Sequence, residues 1–232
     1  MRSVKHLAGK FIVFDGGEGC GKSTQAALLR KDLEDAGLRV LAVHDPGATR
    51  IGEMIRAILL NPDNTDMAMR CEMLLYMAAR AQMMSETILP ALAQGQTVIS
   101  DRFVSSTLAY QGGGDGLTPA DIRAVADIAI KHRWPDLTII LDLPVDVSSA
   151  RVKPKFLLPF PANIQDAAAQ AVKDRIEQRP REYHEQVRQN YLAQAKADPS
   201  RHKIIDANRS PEDVHTDIWS AIAPLLARAR SS

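Results

Sequence analysis

Residues 16–23 read Gly-Gly-Glu-Gly-Cys-Gly-Lys-Ser, the spacing G-x-x-x-x-G-K-S. Glycines placed this way let successive backbone N–H groups turn toward one anion, with a lysine as mobile positive charge and a hydroxyl beside it. That set suits a nucleotide triphosphate: the amides cradle phosphates, Lys22 reaches the β- and γ-phosphates, and Ser23 ligates Mg2+. The pattern carries weight only between a strand and a helix, because the helix N-terminus adds further N–H groups and the positive end of its dipole. Both flanks fit. The run "KFIVFD" (10–15) is short and apolar. In "STQAALLRKDLEDAG" (23–37), Ala26, Leu29 and Leu33 recur at helical spacing before Gly37 ends the pattern. The expected nucleotide triphosphate cradle is therefore Gly16, Gly17, Glu18, Gly19, Cys20, Gly21, Lys22, Ser23 and Thr24.

Switches, motors and kinases all begin with such a loop. No N-K-x-D guanine motif occurs in the sequence, which disfavours a GTPase switch, and 232 residues leave little room for a motor's coupling domains. A kinase requires a second phosphate pocket, with arginines to hold the acceptor and stabilise charge on the transferred group. Arg50 and Arg56 in "DPGATRIGEMIRAILL" (45–60), Arg80 in "YMAARAQ" (76–82) and Arg102 in "SDRFVSSTLAYQGGG" (100–114) are candidates. Arg102 stands out because it follows Asp101 at the end of an apolar run and precedes a loop of Ser, Thr, Tyr and Gln.

The elements that must position these groups follow from the hydrophobic pattern. After 10–15, short apolar runs at 39–44, 96–101, 136–143 and 202–206 alternate with helical stretches. This predicts an α/β fold, a doubly wound five-stranded parallel sheet with helices on both faces and ligands beyond the carboxyl ends of the strands. Asp15, Asp45, Asp101, Asp142 and Asp206 fall at or just after those ends, so five carboxylates are expected around one crevice. Residues 66–93 form a long Met- and Leu-rich helical pattern, more apolar than a single core-facing stripe requires. The surplus either faces a partner subunit or is buried within its own domain. Between 153 and 171 the pattern turns irregular, with Pro154, Pro159, Pro161, Phe156 and Phe160, as in a functional loop.

Apolar residues make up 45% and charged residues 25%, a globular composition. The net charge of +1 gives no field to gather nucleic acid or anionic membrane, so any anion site is local. The N-terminus lacks the apolar stretch of a signal peptide and no run is long enough to span a bilayer. Two cysteines make no disulfide framework. The cytoplasm is the expected compartment.

These motifs, in this order, resemble those of the bacterial thymidylate kinases, P-loop enzymes that phosphorylate dTMP. The resemblance runs from about Lys10 to Ile218 and rests on Asp15–Thr24, Asp45–Arg56, Leu74–Arg80 and Asp101–Gly112. It implies one domain over 1–232 with a mobile lid at about 151–180. It also implies a homodimer through the 66–93 helix, and ATP and Mg2+ as cofactors. By the same resemblance Tyr76 stacks on thymine, Arg80 donates to its O4 and Gln111 lies near the base. Arg56 and Arg102 hold the dTMP phosphate, with Ser106 and Thr107 beside them, and Tyr110 crowds the sugar 2′ position. Asp15 approaches the 3′-OH, and Asp101 helps Ser23 hold Mg2+. Three departures stand out: Asp15 replaces the usual Glu, Phe103 lacks a Tyr hydroxyl, and Ala48 replaces a glycine, strained if its φ is positive.

The phosphate loop holds no arginine, so the resemblance sends the charge-stabilising group to the lid. Arg175 in "DRIEQRPREY" (174–183) is the first choice, ahead of Arg151 and Arg179, and acts with Lys22 and Arg102 as catalytic groups. Loss of Arg175 is then expected to lower kcat with little change in dTMP affinity. Cys20, near a helix N-terminus, is expected to react with thiol reagents, with ATP protecting it.

Overall fold

The computed structural model describes residues 4–151, 155–156, 171–172 and 174–227. Most of the expected lid and the "RARSS" terminus lie outside the described residues. Five strands form one parallel sheet: β1 (Phe11–Gly16), β2 (Val40–His44), β3 (Thr97–Asp101), β4 (Leu137–Asp142) and β5 (His202–Asp206), in the order β2-β3-β1-β4-β5. All five were legible from the apolar runs to within a residue or two. The reason is physical: a central parallel strand is covered on both faces, so it reads as an uninterrupted apolar stretch.

β1 illustrates this, since all six of its residues are buried. Ile12 and Phe14 point to one face, into a core with Leu29 and Leu33 of α1 (Lys22–Asp35). Phe11 and Val13 point to the other, against α3 (Met69–Met83) and α4 (Val104–Tyr110). Three further helices complete the first half and its crossover: α2 (Arg50–Leu60), α5 (Pro119–Ala129) and α6 (Val145–Arg151). α7 (Arg181–Ala197) packs on α4, and α8 (Pro211–Ala227) returns to cover α1.

The 66–93 pattern resolves into α3, a single wide π turn at Met84–Ile88 and a last turn at Leu89–Ala93. Met73, Met77, Met83, Met84 and Ile88 are buried within the chain's own core. Much of the helix's apolar surplus is thus spent inside its own domain.

Candidate active site

The phosphate loop connects β1 to α1 and depends on glycine for steric reasons. Gly16 adopts φ 134, and a Cβ there would lie 2.4 Å from the Leu141 carbonyl oxygen of the neighbouring strand. Gly21 caps α1 at φ 93. Lys22 Nζ donates to the Gly17 carbonyl at 2.6 Å and to that of Gly16 at 3.3 Å, which holds the ammonium over the loop. Ser23 Oγ donates to the Asp101 carboxylate, so the start of α1 and the end of β3 bring together the two expected metal ligands. A hydroxyl beside a carboxylate is the hard-oxygen donor set that suits Mg2+. Glu18, Gly19, Gly21, Lys22, Ser23 and Thr24 line one cleft here, with Arg56, Asp101 and Arg102 on its far side.

A second cavity lies between α2, α3 and α4. Tyr76, Arg80, Arg56, Arg102, Ser106, Thr107, Tyr110 and Gln111 all line it. Arg80 is buried and fixed: Nε donates to Asp45 at 2.6 Å, another nitrogen donates to Thr107 Oγ1 at 3.2 Å, and its guanidinium lies 5.2 Å from the Phe103 ring centroid. Phe103 packs edge-on against Phe11 at 4.9 Å, a position where a tyrosine hydroxyl would need a buried partner. Arg56 donates to the Pro46 carbonyl at 2.8 Å. Burial, and then Glu72, push the Tyr76 hydroxyl above its ordinary pKa, so it faces the cavity uncharged.

The two cavities meet at Glu18, Asp45, Arg56 and Arg102, which line both. Arg102 adopts φ 70 at the first residue beyond β3. Its N–H donates to the Phe14 carbonyl at 2.8 Å, and its own carbonyl accepts from Ser100 Oγ at 2.7 Å, which holds this strained backbone in place. The guanidinium pairs with Glu18 and donates to the Gly16 carbonyl at 3.0 Å, Ser106 Oγ at 3.0 Å, Tyr191 at 3.2 Å and Tyr110 at 3.3 Å. Burial opposes its charge, but Glu18, Tyr110, Tyr191 and Asp15 outweigh that and raise its pKa.

Several sequence-based expectations are corrected by this geometry. Asp15 does not line either cavity: it is fully buried beneath Arg102, accepting from Ser106 and, at 3.0 Å, from Tyr191. Its burial outweighs Arg102, Ser106, Tyr191 and Lys22, and its pKa is pushed up to about 6. Of the phosphate-loop region, Glu18 is the carboxylate that lines the second cavity, beside Asp45 and Asp174 from other elements. Arg175 is turned away from the phosphate loop. Its backbone N–H and Nε donate to the Leu60 and Leu59 carbonyls at 3.4 and 3.1 Å, and its guanidinium pairs with Glu72 at 2.5 Å. The unpaired carbonyls at the end of α2 and a buried carboxylate attract a cation more strongly than an exposed loop does.

Asp142 is taken by Arg188 through two hydrogen bonds of 2.7 and 2.9 Å, and Asp206 caps the turn at Asn208. The expected crevice of five carboxylates is therefore bordered by Asp45 and Asp101 of that group, joined by Glu18. Cys20 is 3% exposed and packs in the core, whereas Cys71 is the exposed thiol. Ala48 does adopt a positive φ, 61. Arg151 donates to the Ala207 carbonyl at 3.2 Å.

Two site residues carried no motif. Tyr191, from α7, bonds Asp15, Ser106 and Arg102, and its only signal is an aromatic in a polar helix. Glu72, buried on α3, holds Gln111 at 2.7 Å together with Arg175 and Arg179. Its signal is a carboxylate at i−4 and i−8 from Tyr76 and Arg80, on the same helical face.

Comparison with known proteins shows the family to which this fold belongs. A family model described as thymidylate kinase matches residues 14–218. The thymidylate kinase of Thermomicrobium roseum is 42% identical over 224 residues, covering 96% of this chain and 98% of that protein. That of Nitratidesulfovibrio vulgaris is 38% identical over 217 residues, covering 94% and 97%. The crystal structure of thymidylate kinase from Ehrlichia chaffeensis superposes with a TM-score of 0.70 at 26% identity, covering 93% of this chain and 99% of that one. With a strand-fed phosphate loop, an arginine-walled second cavity beside it and near full-length similarity to these proteins, the chain belongs to the thymidylate kinase family.

Proposed function

We propose that this protein transfers the γ-phosphoryl group of ATP to dTMP, giving ADP and dTDP. The observation that carries this is the shared wall. A cleft built for a triphosphate and a cavity with an aromatic ring and amide at one end meet at two arginines, where the two phosphates must touch. Tyr76 offers a π-face to the base, and Arg80 and Gln111 offer polar groups to its edge. Arg56 and Arg102 offer positive charge to the acceptor phosphate. Transfer loads charge onto the equatorial oxygens, and an arginine aimed there is worth about 10³–10⁵ in rate in related NTPases. Arg102 is the best placed for that role because it faces both cavities and is already oriented by five partners. Glu18, rather than Asp15, is our candidate for the acceptor sugar hydroxyl. Ser23 and Asp101 would hold Mg2+, which when bound neutralises charge on the β- and γ-phosphates.

Measuring turnover of dTMP, dUMP, UMP and AMP with ATP and Mg2+ tests the reading. dTMP should be the best substrate and dUMP a weaker one, since a methyl group discriminates by about 1–3 kcal/mol. Faster turnover of AMP or UMP would overturn it, and failure to bind dTMP would favour a P-loop ATPase without an acceptor. We read residues 1–232 as one kinase domain with a lid at about 151–180.

A homodimer is also proposed, through α2 with α3. Ile51, Met54 and Ile58 make an exposed stripe on α2, and Leu74 is exposed on α3, an apolar surface of the kind that marks association. No helix among the described residues is long and apolar enough to cross a membrane. The free Cys20 and Cys71 support placement in the cytoplasm.

A further inference from the structure

Glu72 has no part in the scheme above, yet it is fully buried and occupied on every side. It accepts from Gln111 Nε2 at 2.7 Å and pairs with Arg179 at 2.6 Å and Arg175 at 2.5 Å. Gln111 in turn lines the acceptor cavity. An ionised carboxylate offers only acceptors, so the end of the Gln111 amide that faces it must be the NH2 group. The reversed amide would set two oxygens against each other in a buried place. Gln111 Oε1 is thereby left on the cavity side, where no described residue donates to it.

We infer that Glu72 is a positioning residue for base selection: by fixing the Gln111 amide, it presents a hydrogen-bond acceptor to the base and so selects pyrimidines whose N3 carries a hydrogen. Thymine and uracil have an N3–H donor. Cytosine has a lone pair at N3, which would face Oε1 oxygen to nitrogen with no proton between them. A buried site that leaves such groups unpaired rejects a ligand far more strongly than one that merely lacks a methyl contact. Arg175 and Arg179 both pair with Glu72 Oε2, which leaves Oε1 to Gln111. This inference rests on the reading of dTMP as acceptor and adds how that choice is enforced.

The test is the ratio of kcat/KM for dTMP over dCMP, with ATP and Mg2+, in folded variants. Glu72→Gln is nearly isosteric, but its amide can donate to Gln111 and turn it over. The ratio should fall ~10- to 100-fold, the scale of an unpaired buried group. Glu72→Asp keeps the charge near the arginines but withdraws from Gln111 and should lower the ratio as well. Arg179→Ala leaves the Gln111 contact intact and should keep the ratio within about twofold of wild type, since it disturbs no group at the base. In a Gln111→Ala background, which should itself lose the discrimination, Glu72→Gln should change the ratio no further. An unmoved ratio in whichever Glu72 variant folds, or in Gln111→Ala, overturns the inference, as does an equal loss for both nucleotides. Failure of the wild-type protein to use dTMP would instead overturn the proposed function.

Discussion

Replacing Asp15 with Asn isolates the cost of a buried charge at the centre of the site. Asp15 sits fully buried with Oδ1 accepting from Ser106 and Tyr191, while Oδ2 has no hydrogen-bond partner among the described residues. Burial raises its pKa from 3.8 to about 6 against the pull of Arg102, Ser106, Tyr191 and Lys22. The folded protein thus holds this proton more tightly than the unfolded chain. Stability is highest with the group protonated, falls as pH rises from about 4 to 6, and stays low above that. The gap from 3.8 to about 6, at 1.36 kcal/mol per pH unit, amounts to ~3 kcal/mol, of which ~2 develops between about pH 4.5 and 7.5. Asparagine fills the same space, accepts through Oδ1 and cannot ionise. Urea unfolding of wild type and Asp15→Asn at several pH values across that range should show the variant's relative stability growing by ~2 kcal/mol toward neutral pH. A difference that stays flat, or shrinks as pH rises, would refute the assignment of a charge buried at net cost.

Other substitutions probe the remaining parts of the site. Arg102→Lys keeps one charge but loses the planar fork that reaches Glu18, Ser106 and Gly16 together, so kcat should fall by ~10³; a drop under tenfold in steady-state turnover would remove Arg102 from the transfer step. Ala48→Gly relieves a Cβ at φ 61 and should stabilise the protein by ~0.5–1 kcal/mol, read as a higher Tm. A maleimide should label Cys71 in the native protein and leave Cys20 untouched, so native Cys71→Ala should take up no reagent until unfolded; mass spectrometry locating label on native Cys20 would contradict its burial. Ile58→Glu should shift sedimentation from dimer to monomer without loss of fold, and an unchanged sedimentation coefficient would remove the α2 stripe from the interface.

What the sequence revealed and what it hid divide along a physical line. Strand positions were readable because both faces of β1 and β4 are covered, which makes most of their residues apolar and leaves the carboxylates Asp15 and Asp142 near their C-terminal ends. The phosphate loop was readable because its function is carried by backbone, and backbone geometry is written in glycine spacing. Side-chain direction was not. Asp15 and Glu18 are three residues apart, and only the turn of the loop decides that one lies beneath the arginine and the other faces the cavity. Arg175 matched a lid motif, but its direction is set by carbonyls of α2, more than 100 residues away in the chain. Glu72 and Tyr191 were hidden for the same reason: each gains its role from partners on other elements, so the helical spacing of Glu72 with Tyr76 and Arg80 could not by itself assign it.

The wall shared by the two cavities also makes them thermodynamically one system. Glu18 and Arg102 are bonded to each other and line both sides. A ligand that draws Arg102 toward its phosphate alters the surface offered to the other ligand. Linkage then requires reciprocity: whatever factor ATP imposes on dTMP affinity, dTMP must impose on ATP. The sign of that factor reports whether breaking the Glu18–Arg102 pair is a cost met once, by the first ligand to arrive, or a contest between the two.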